Sequence, residues 1–226
     1  HLRDEARIAD TTTPRRFNPL TGAGRLSLAQ DRWRGDFDLG HDGVTLGHLA
    51  LNHDARAGGG GLTIDAPRIV FAEGGLQPEA LSPLAVEFVK SPATGEVGFT
   101  GHVDWVDGGE GSSGGVLTIP SLDFTSPAGP VRGLQGRIEF TSLAPLETAP
   151  NQHLTAREIE TAVTLSEVNL DFGLGKNGVM LDAGETELAG GRARIEPFLI
   201  PLDPTQPIQG VLVLDQVQLG ELIQEA

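Results

Sequence analysis

Apolar and polar residues alternate along most of the chain with a period of two. The two longest alternations place apolar side chains at positions 97, 99, 103 and 105 and again at 168, 170, 172 and 174. Because successive side chains of a β-strand point to opposite faces, this period predicts strands with one apolar and one polar face. Turn signals between the runs, such as the Asn177-Gly178 pair, predict hairpins. The expected fold is therefore mainly β and largely antiparallel.

One segment departs from this period. Its apolar residues lie at i, i+3, i+4, i+7 and i+8, namely at Leu81, Leu84, Ala85, Phe88 and Val89. This spacing lines one side of an α-helix, and Pro83 is tolerated in a first turn that begins at Ser82. We expect one short α-helix at about residues 80–90, capping one end of the sheet. The stretch 156–160 is predicted to be at most a helical turn.

The domain organisation follows from length and from the start of the chain. A length of 226 residues fits one β domain. Residues 1–23 are interpreted as a linker or partly ordered lead-in, and residues 24–226 as a single β-rich module. The chain begins with His1 and not with methionine, so we expect a segment cut from a longer protein. No apolar run reaches the roughly 18 residues that a membrane-spanning helix needs.

Composition excludes several functional classes. The chain has no cysteine, so it has no disulfide, thiolate metal site or cysteine nucleophile. A net charge of −15, from 31 acidic and 16 basic residues, repels phosphate backbones and argues against a nucleic-acid partner.

Candidate chemical motifs are few, and each has a simpler interpretation. Gly173, Gly175 and Gly178 match GxGxxG, but a strand follows where a nucleotide-binding fold needs a helix, so we predict a hairpin. The glycine-rich run 107–115 lacks the lysine of a phosphate-binding loop and is predicted to be a flexible loop. The intervals between His41, His48 and His53 match no common zinc pattern. We therefore predict no catalytic residues, no metal site and no cofactor.

The order of several motifs resembles a known family. The matching segments are Val131 to Phe140, Leu143 to Gln152, Val168 to Leu174, the Gly190-Gly191 pair before Ala193 to Pro197, and Leu212 to Leu219 with Leu222. The predicted helix followed by Gly95 to Trp105 also fits. In these features the chain resembles the C-terminal region of YdbH-type proteins in the AsmA-like group, a region once catalogued as a "dicarboxylate transport" domain. The resemblance covers residues 97–226 and, more loosely, residues 24–96.

The resemblance implies a fold and a function. It implies a curled, open, groove-like sheet whose apolar face carries phospholipid acyl chains between the inner and outer membranes of Gram-negative bacteria. It further implies a periplasmic protein anchored in the inner membrane through a part outside this segment, with a small outer-membrane lipoprotein as a partner. The candidate groove residues are Val97, Phe99, Val103, Trp105, Val168, Leu170, Phe172 and Leu174. Leu84 and Phe88 are candidates for capping the groove.

Three alternatives remain open at this point. The same alternation serves a sheet whose apolar face is an ordinary closed core. The chain could be a structural or docking module that pairs an edge strand with the lipoprotein. The old catalogue name suggests a dicarboxylate-binding domain, which would need a basic pocket built from arginines such as Arg132, Arg137, Arg192 and Arg194.

Overall fold

The strands of this chain form one antiparallel sheet. A computed structural model describes residues 15, 17–203, 205–218 and 220. The strands are β1 Thr21–Ala29, β2 Arg32–His41, β3 Val44–Asp54, β4 Gly59–Phe71, β5 Lys90–Trp105, β6 Ser112–Ser126, β7 Gly129–Leu143, β8 Leu146–Thr148, β9 Gln152–Glu160, β10 Thr164–Gly175, β11 Gly178–Leu188, β12 Gly191–Ile195, β13 Phe198–Pro201 and β14 Leu212–Asp215. The helical elements among the described residues are α1, Pro78–Leu81, and a 3₁₀ turn, Pro83–Glu87.

Sheet order follows chain order almost throughout. The main path runs β1-β2-β3-β4-β5-β6-β7-β9-β10-β11-β12-β14, while β8 pairs with β7 and β13 pairs with β11. Every pairing is antiparallel, as the hairpin signals predict. Within the described residues β1 and β14 each pair with only one strand, so the sheet is open. The mainly β, antiparallel, unclosed fold predicted from the sequence is confirmed.

Strand register divides the sheet into two chemically different faces. Directly opposed residues share a face, so Leu62, Val103 and Ser113 lie together, as do Thr63, His102 and Gly114. We call the first the apolar face and the second the polar face. Along the main path, no paired position of the described strands on the apolar face carries Asp, Glu, Lys or Arg.

Irregular register bends the strands at matching places. The shifts include those at Ala66/Ile69 on β4, Glu96/Gly98 on β5, Ile119/Leu122 on β6 and Ser166/Asn169 on β10. A β-bulge bends its strand and increases its twist, so aligned bulges crease the sheet. The buried hydrophobic residues, including Leu49, Ile119 and Ala193, lie on the apolar face. The sheet therefore curls around its apolar face.

The helical segment between β4 and β5 packs on the apolar face. Leu76, Leu81 and Val89 contact a buried cluster of Phe71, Ala93, Ile119 and Leu122. The short helical cap is confirmed, but it is divided at Ser82, which is extended with φ −140° and ψ 120°. A proline disfavours the helical conformation of the residue before it, so Pro83 ends α1 and starts a separate 3₁₀ turn.

Two amide side chains fasten this helical cap. Gln77 Nε2 donates to the carbonyls of Ala72 (2.7 Å) and Ala93 (3.1 Å), and Gln77 Oε1 accepts from Ala93 N at 2.7 Å. Asn18, which precedes β1, donates from Nδ2 to the carbonyls of Glu79 and Ala80 and from its backbone to Leu81 O. The cap is thus tied both to β5 and to the chain that leads into β1.

Other sequence predictions have mixed outcomes. The stretch 156–160 is not a helical turn but part of β9, because it pairs with β7 on one side and β10 on the other. The predicted hairpin is confirmed, since Gly175 lies opposite Gly178. The division into residues 1–23 and 24–226 stays a prediction; β1 begins at Thr21, and residues 1–14 and 16 lie outside the described residues. Among the described residues, no helix has the length and apolar character to cross a membrane.

Candidate functional site

All eight predicted groove residues lie on the apolar face. Val97, Phe99, Val103 and Trp105 occupy it on β5, and Val168, Leu170, Phe172 and Leu174 occupy it on β10. Each is half-buried. β6, β7 and β9 separate the two sets, a span of about 19 Å at normal strand spacing. Opposed residues Ile119, Gly136, Leu154 and Leu170 connect them without a charged residue, so the two sets belong to one continuous surface.

Large side chains on this surface lie flat over glycines. A β-carbon at Gly101 would be 2.7 Å from Phe99 Cζ, and one at Gly115 would be 2.9 Å from the same atom. One at Gly60 would be 2.7 Å from Trp105 Cζ2. The rings therefore occupy the space that the missing side chains leave, and they protrude less from the apolar face. A filled core uses large interlocking side chains instead.

The apolar face carries one well-paired buried amide. Gln152, 7% exposed, lies opposite Phe172. Its Oε1 accepts from Glu139 N at 2.6 Å, and its Nε2 donates to the carbonyls of Ala149 (2.9 Å) and Pro150 (3.2 Å). Because its polar atoms are engaged with backbone, Gln152 holds the loop after β8 against β7.

Three aromatic side chains line one border of the apolar face. Trp33, His53, Gly60 and Trp105 lie side by side on β2, β3, β4 and β5, at the strand ends opposite the helical cap. Trp105 Nε1 donates to His53 Nδ1 at 3.3 Å, and the two ring centroids are 5.9 Å apart. We call this border the tryptophan rim and the border under the helical cap the helical rim.

Charged groups surround the tryptophan rim. Arg56 Nη2 lies 2.6 Å from Asp31 Oδ2, and Arg32 Nε lies 3.5 Å from Asp54 Oδ2. The Ala57 N–H, which donates to Asp54 Oδ1 at 2.9 Å, is the main cause that lowers the pKa of Asp54 below its ordinary value. Asp54 therefore stays ionised and holds the turn between β3 and β4.

The polar face is covered by cross-strand charge pairs. Arg132 Nη2 contacts Glu160 Oε1 at 2.9 Å, and that hydrogen bond is the main cause that raises the pKa of Arg132. Arg137 contacts Glu139 on the same strand, while Arg192 and Arg194 stand opposite Glu187 and Glu185 on the neighbouring strand. The four arginines of the dicarboxylate alternative are thus distributed over the polar face beside acidic partners.

The remaining candidate residues are placed apart. His48 lies on the polar face near Asp36 and Asp38, whereas His53 lies on the apolar face. Within the described part of the chain, no group of three or more His, Cys, Asp or Glu could hold a metal ion. Leu84 is half-buried in the 3₁₀ turn and Phe88 is 67% exposed at its end. The cluster under the cap is contacted by other residues of this segment, so the capping role of Leu84 and Phe88 stays a prediction.

A glycine substitution tests the flat arrangement of rings. We expect Gly101→Ala to turn the Phe99 ring away from the sheet, because the new β-carbon would meet the far end of that side chain. The free energy of unfolding, measured in urea, should fall by about 1 kcal/mol, the cost of an off-rotamer side chain. Gly175→Ala is the control, since nothing lies within 4 Å of its β-carbon position. In a Phe99→Leu background the Gly101→Ala penalty should shrink; an unchanged penalty would contradict the packing described.

Sequence reasoning missed part of this surface. It did not assign Trp33 and His53 to the apolar face together with Trp105, although Trp33 has the parity of Phe37 and Leu39. It also placed Gly115 in a flexible loop, whereas Gly115 lies in β6 beside the Phe99 ring.

Comparison with known proteins agrees with the features of this sheet. Neither the curated proteins nor the solved structures contain a significant match. A family model described as "YdbH-like: Intermembrane phospholipid transport protein YdbH" matches residues 2–226, almost the whole chain. The chain therefore belongs to the YdbH-like family of intermembrane phospholipid transport proteins.

Proposed function

We propose that this chain is one segment of a bridge-like protein that carries phospholipids between the inner and outer membranes. The acyl chains lie on the apolar face, and the residues that contact them include Val97, Phe99, Val103, Trp105, Val168, Leu170, Phe172 and Leu174. The complete protein works in the periplasm of a Gram-negative cell and is anchored in the inner membrane through another part. The proposal involves no catalytic step and no cofactor.

One observation carries the proposal: an uncharged apolar face continues across twelve paired strands without a second sheet over it among the described residues. Burying apolar surface contributes about 25 cal/mol per Å², so an uncovered face of this kind favours an apolar ligand. An acyl chain fits, because it needs neither hydrogen bonds nor counter-charges. The phospholipid headgroup stays in water, so the net charge of −15 does not oppose binding.

Site-specific photocrosslinking in cells tests this function. A photoreactive residue at Phe99 or Phe172 should capture phospholipid, because both positions lie on the apolar face. The same residue at Thr100 or Asp171, one position along each strand and on the polar face, should capture little. Equal capture on the two faces, or no lipid at any apolar position, would refute the proposal.

A second candidate function is docking of a small outer-membrane lipoprotein by strand addition. The outer edges of β1 and β14 are unpaired within the described residues, and their apolar faces stay open, with Leu26 52% and Leu212 57% exposed. Main-chain hydrogen bonding at such an edge can drive association. Co-purification of the lipoprotein without phospholipid would favour docking alone over transport.

A further inference from the structure

The two borders of the apolar face differ in a way that gives a bound lipid a direction. We infer that the tryptophan rim is the headgroup subsite: the glycerol and headgroup of a phospholipid lie beside Trp33, His53 and Trp105, and the acyl chains run from there over the apolar face. This inference rests on the proposed function and adds the orientation of the lipid.

The helical rim is closed by the helical cap. Ala93 is 0% exposed and Phe71 6%, and both are covered by the helical cap that Gln77 and Asn18 fasten. The polar side chains at this border, Gln77, Ser91 and Glu79, bond to backbone or to one another, and the Glu79 carboxylate would repel a lipid phosphate. A headgroup there would also lose its hydration, which costs several kcal/mol for a charged group. This border suits the methyl ends of acyl chains.

The tryptophan rim has the opposite character. Its aromatic rings are half-buried, and each carries a nitrogen at the edge of an apolar body. Tryptophan and histidine of this kind suit a boundary between apolar material and water. Just beyond them lie exposed charged groups of both signs, in the Arg56–Asp31 and Arg32–Asp54 pairs. A zwitterionic or anionic headgroup therefore meets water and ionic groups as soon as it passes the rings.

The strand length fits an acyl chain in this orientation. The Phe99 ring lies over Gly101, which is four residues from Trp105 on β5, about 13 Å along an extended strand. One leaflet of a bilayer is about 15 Å of hydrocarbon. A chain that starts at the tryptophan rim therefore ends near the middle of β5, over the Phe99 ring.

The only two tryptophans of the chain, Trp33 and Trp105, make a direct test available. The protein is loaded with phosphatidylcholine that carries bromine, a short-range quencher, either next to the glycerol or near the methyl end of one acyl chain. Bromine next to the glycerol should cause the larger loss of tryptophan emission. In each of the single variants Trp33→Phe and Trp105→Phe, bromine next to the glycerol should still cause the larger loss of emission.

A third tryptophan gives the matched comparison. In a Trp33→Phe, Trp105→Phe background, Phe99→Trp should show the reverse order, with the larger loss from bromine near the methyl end. Bound phospholipid is measured separately by phosphorus analysis. If phospholipid binds but the two brominated lipids rank in the same order at position 99 as at the tryptophan rim, the inferred orientation is overturned and the proposed function stands. The same holds if phospholipid binds and the rim shows no quenching. Absence of bound lipid would overturn both.

Discussion

Replacing Leu170 with aspartate should lower the affinity for phospholipid by about 30-fold. Leu170 lies on the apolar face near the middle of β10, between Leu154 on β9 and Gly184 on β11. A carboxylate there would keep its water and prevent contact with two or three methylenes of an acyl chain, each worth about 0.8 kcal/mol. A loss of about 2 kcal/mol corresponds to that change in the dissociation constant. Titration with a fluorescent phospholipid measures it.

The adjacent residue supplies a control on the same strand. Asn169→Asp introduces the same carboxylate on the polar face, one residue away. We expect it to leave lipid affinity unchanged. Leu170→Asn separates polarity from charge and should give an intermediate loss. If Asn169→Asp weakens binding as much as Leu170→Asp, the effect comes from net charge and the assignment of faces to functions is wrong.

Removing the Gln77 amide should destabilise the protein by about 2–4 kcal/mol. In Gln77→Ala the N–H and carbonyl of Ala93, a residue with 0% exposure, lose their side-chain partners. An unsatisfied buried polar group costs about 1–3 kcal/mol, and the other lost hydrogen bonds add about 1 kcal/mol. For a chain of this size the midpoint of thermal unfolding should fall by about 5–15 °C. Differential scanning calorimetry measures the shift.

Gln206→Ala is the matched control for this prediction. The Gln206 amide contacts Asp203 Oδ2 at 3.3 Å in an exposed turn. Removing the Gln206 amide should change the midpoint of thermal unfolding little, because water replaces the lost hydrogen-bond partner. A Gln77→Glu variant keeps the acceptor for Ala93 N but turns its second oxygen toward the carbonyls of Ala72 and Ala93, so it should be at least as destabilised as Gln77→Ala. A Gln77→Ala protein as stable as the Gln206→Ala protein would show that the helical cap is not fastened by this amide.

The faces of the strands could be predicted from the sequence over each run between bulges, because within such a run they depend only on parity. Val97 to Trp105 and Val168 to Leu174 alternate cleanly, and the sheet places both sets on one face. What parity does not provide is register between strands. The alignment of Trp33, His53 and Trp105 depends on three separate pairings, none of which is written in a single run of residues.

Local propensity also misled at identifiable residues. The apolar residues from Leu81 to Val89 do have helical spacing, but Pro83, near the start of this run, limits α1 to four residues. The segment 156–160 consists mostly of good helix formers, Ala, Arg and Glu, but pairing with two neighbouring strands decides its conformation. Glycines such as Gly115 signal a loop by composition, yet here they leave space for rings from the same sheet.

The agreement between chain order and sheet order has a consequence for how such a protein can change in length. Each hairpin contacts mainly the hairpins before and after it, as in repeat proteins, so its contribution to stability is largely a sum of neighbour terms. Removing or inserting one two-stranded unit would leave the flanking strands antiparallel and every remaining side chain on its own face. The sheet would become shorter or longer by about 10 Å across its strands. For the bridge that we propose, the length of the lipid path would therefore change in discrete steps of one hairpin.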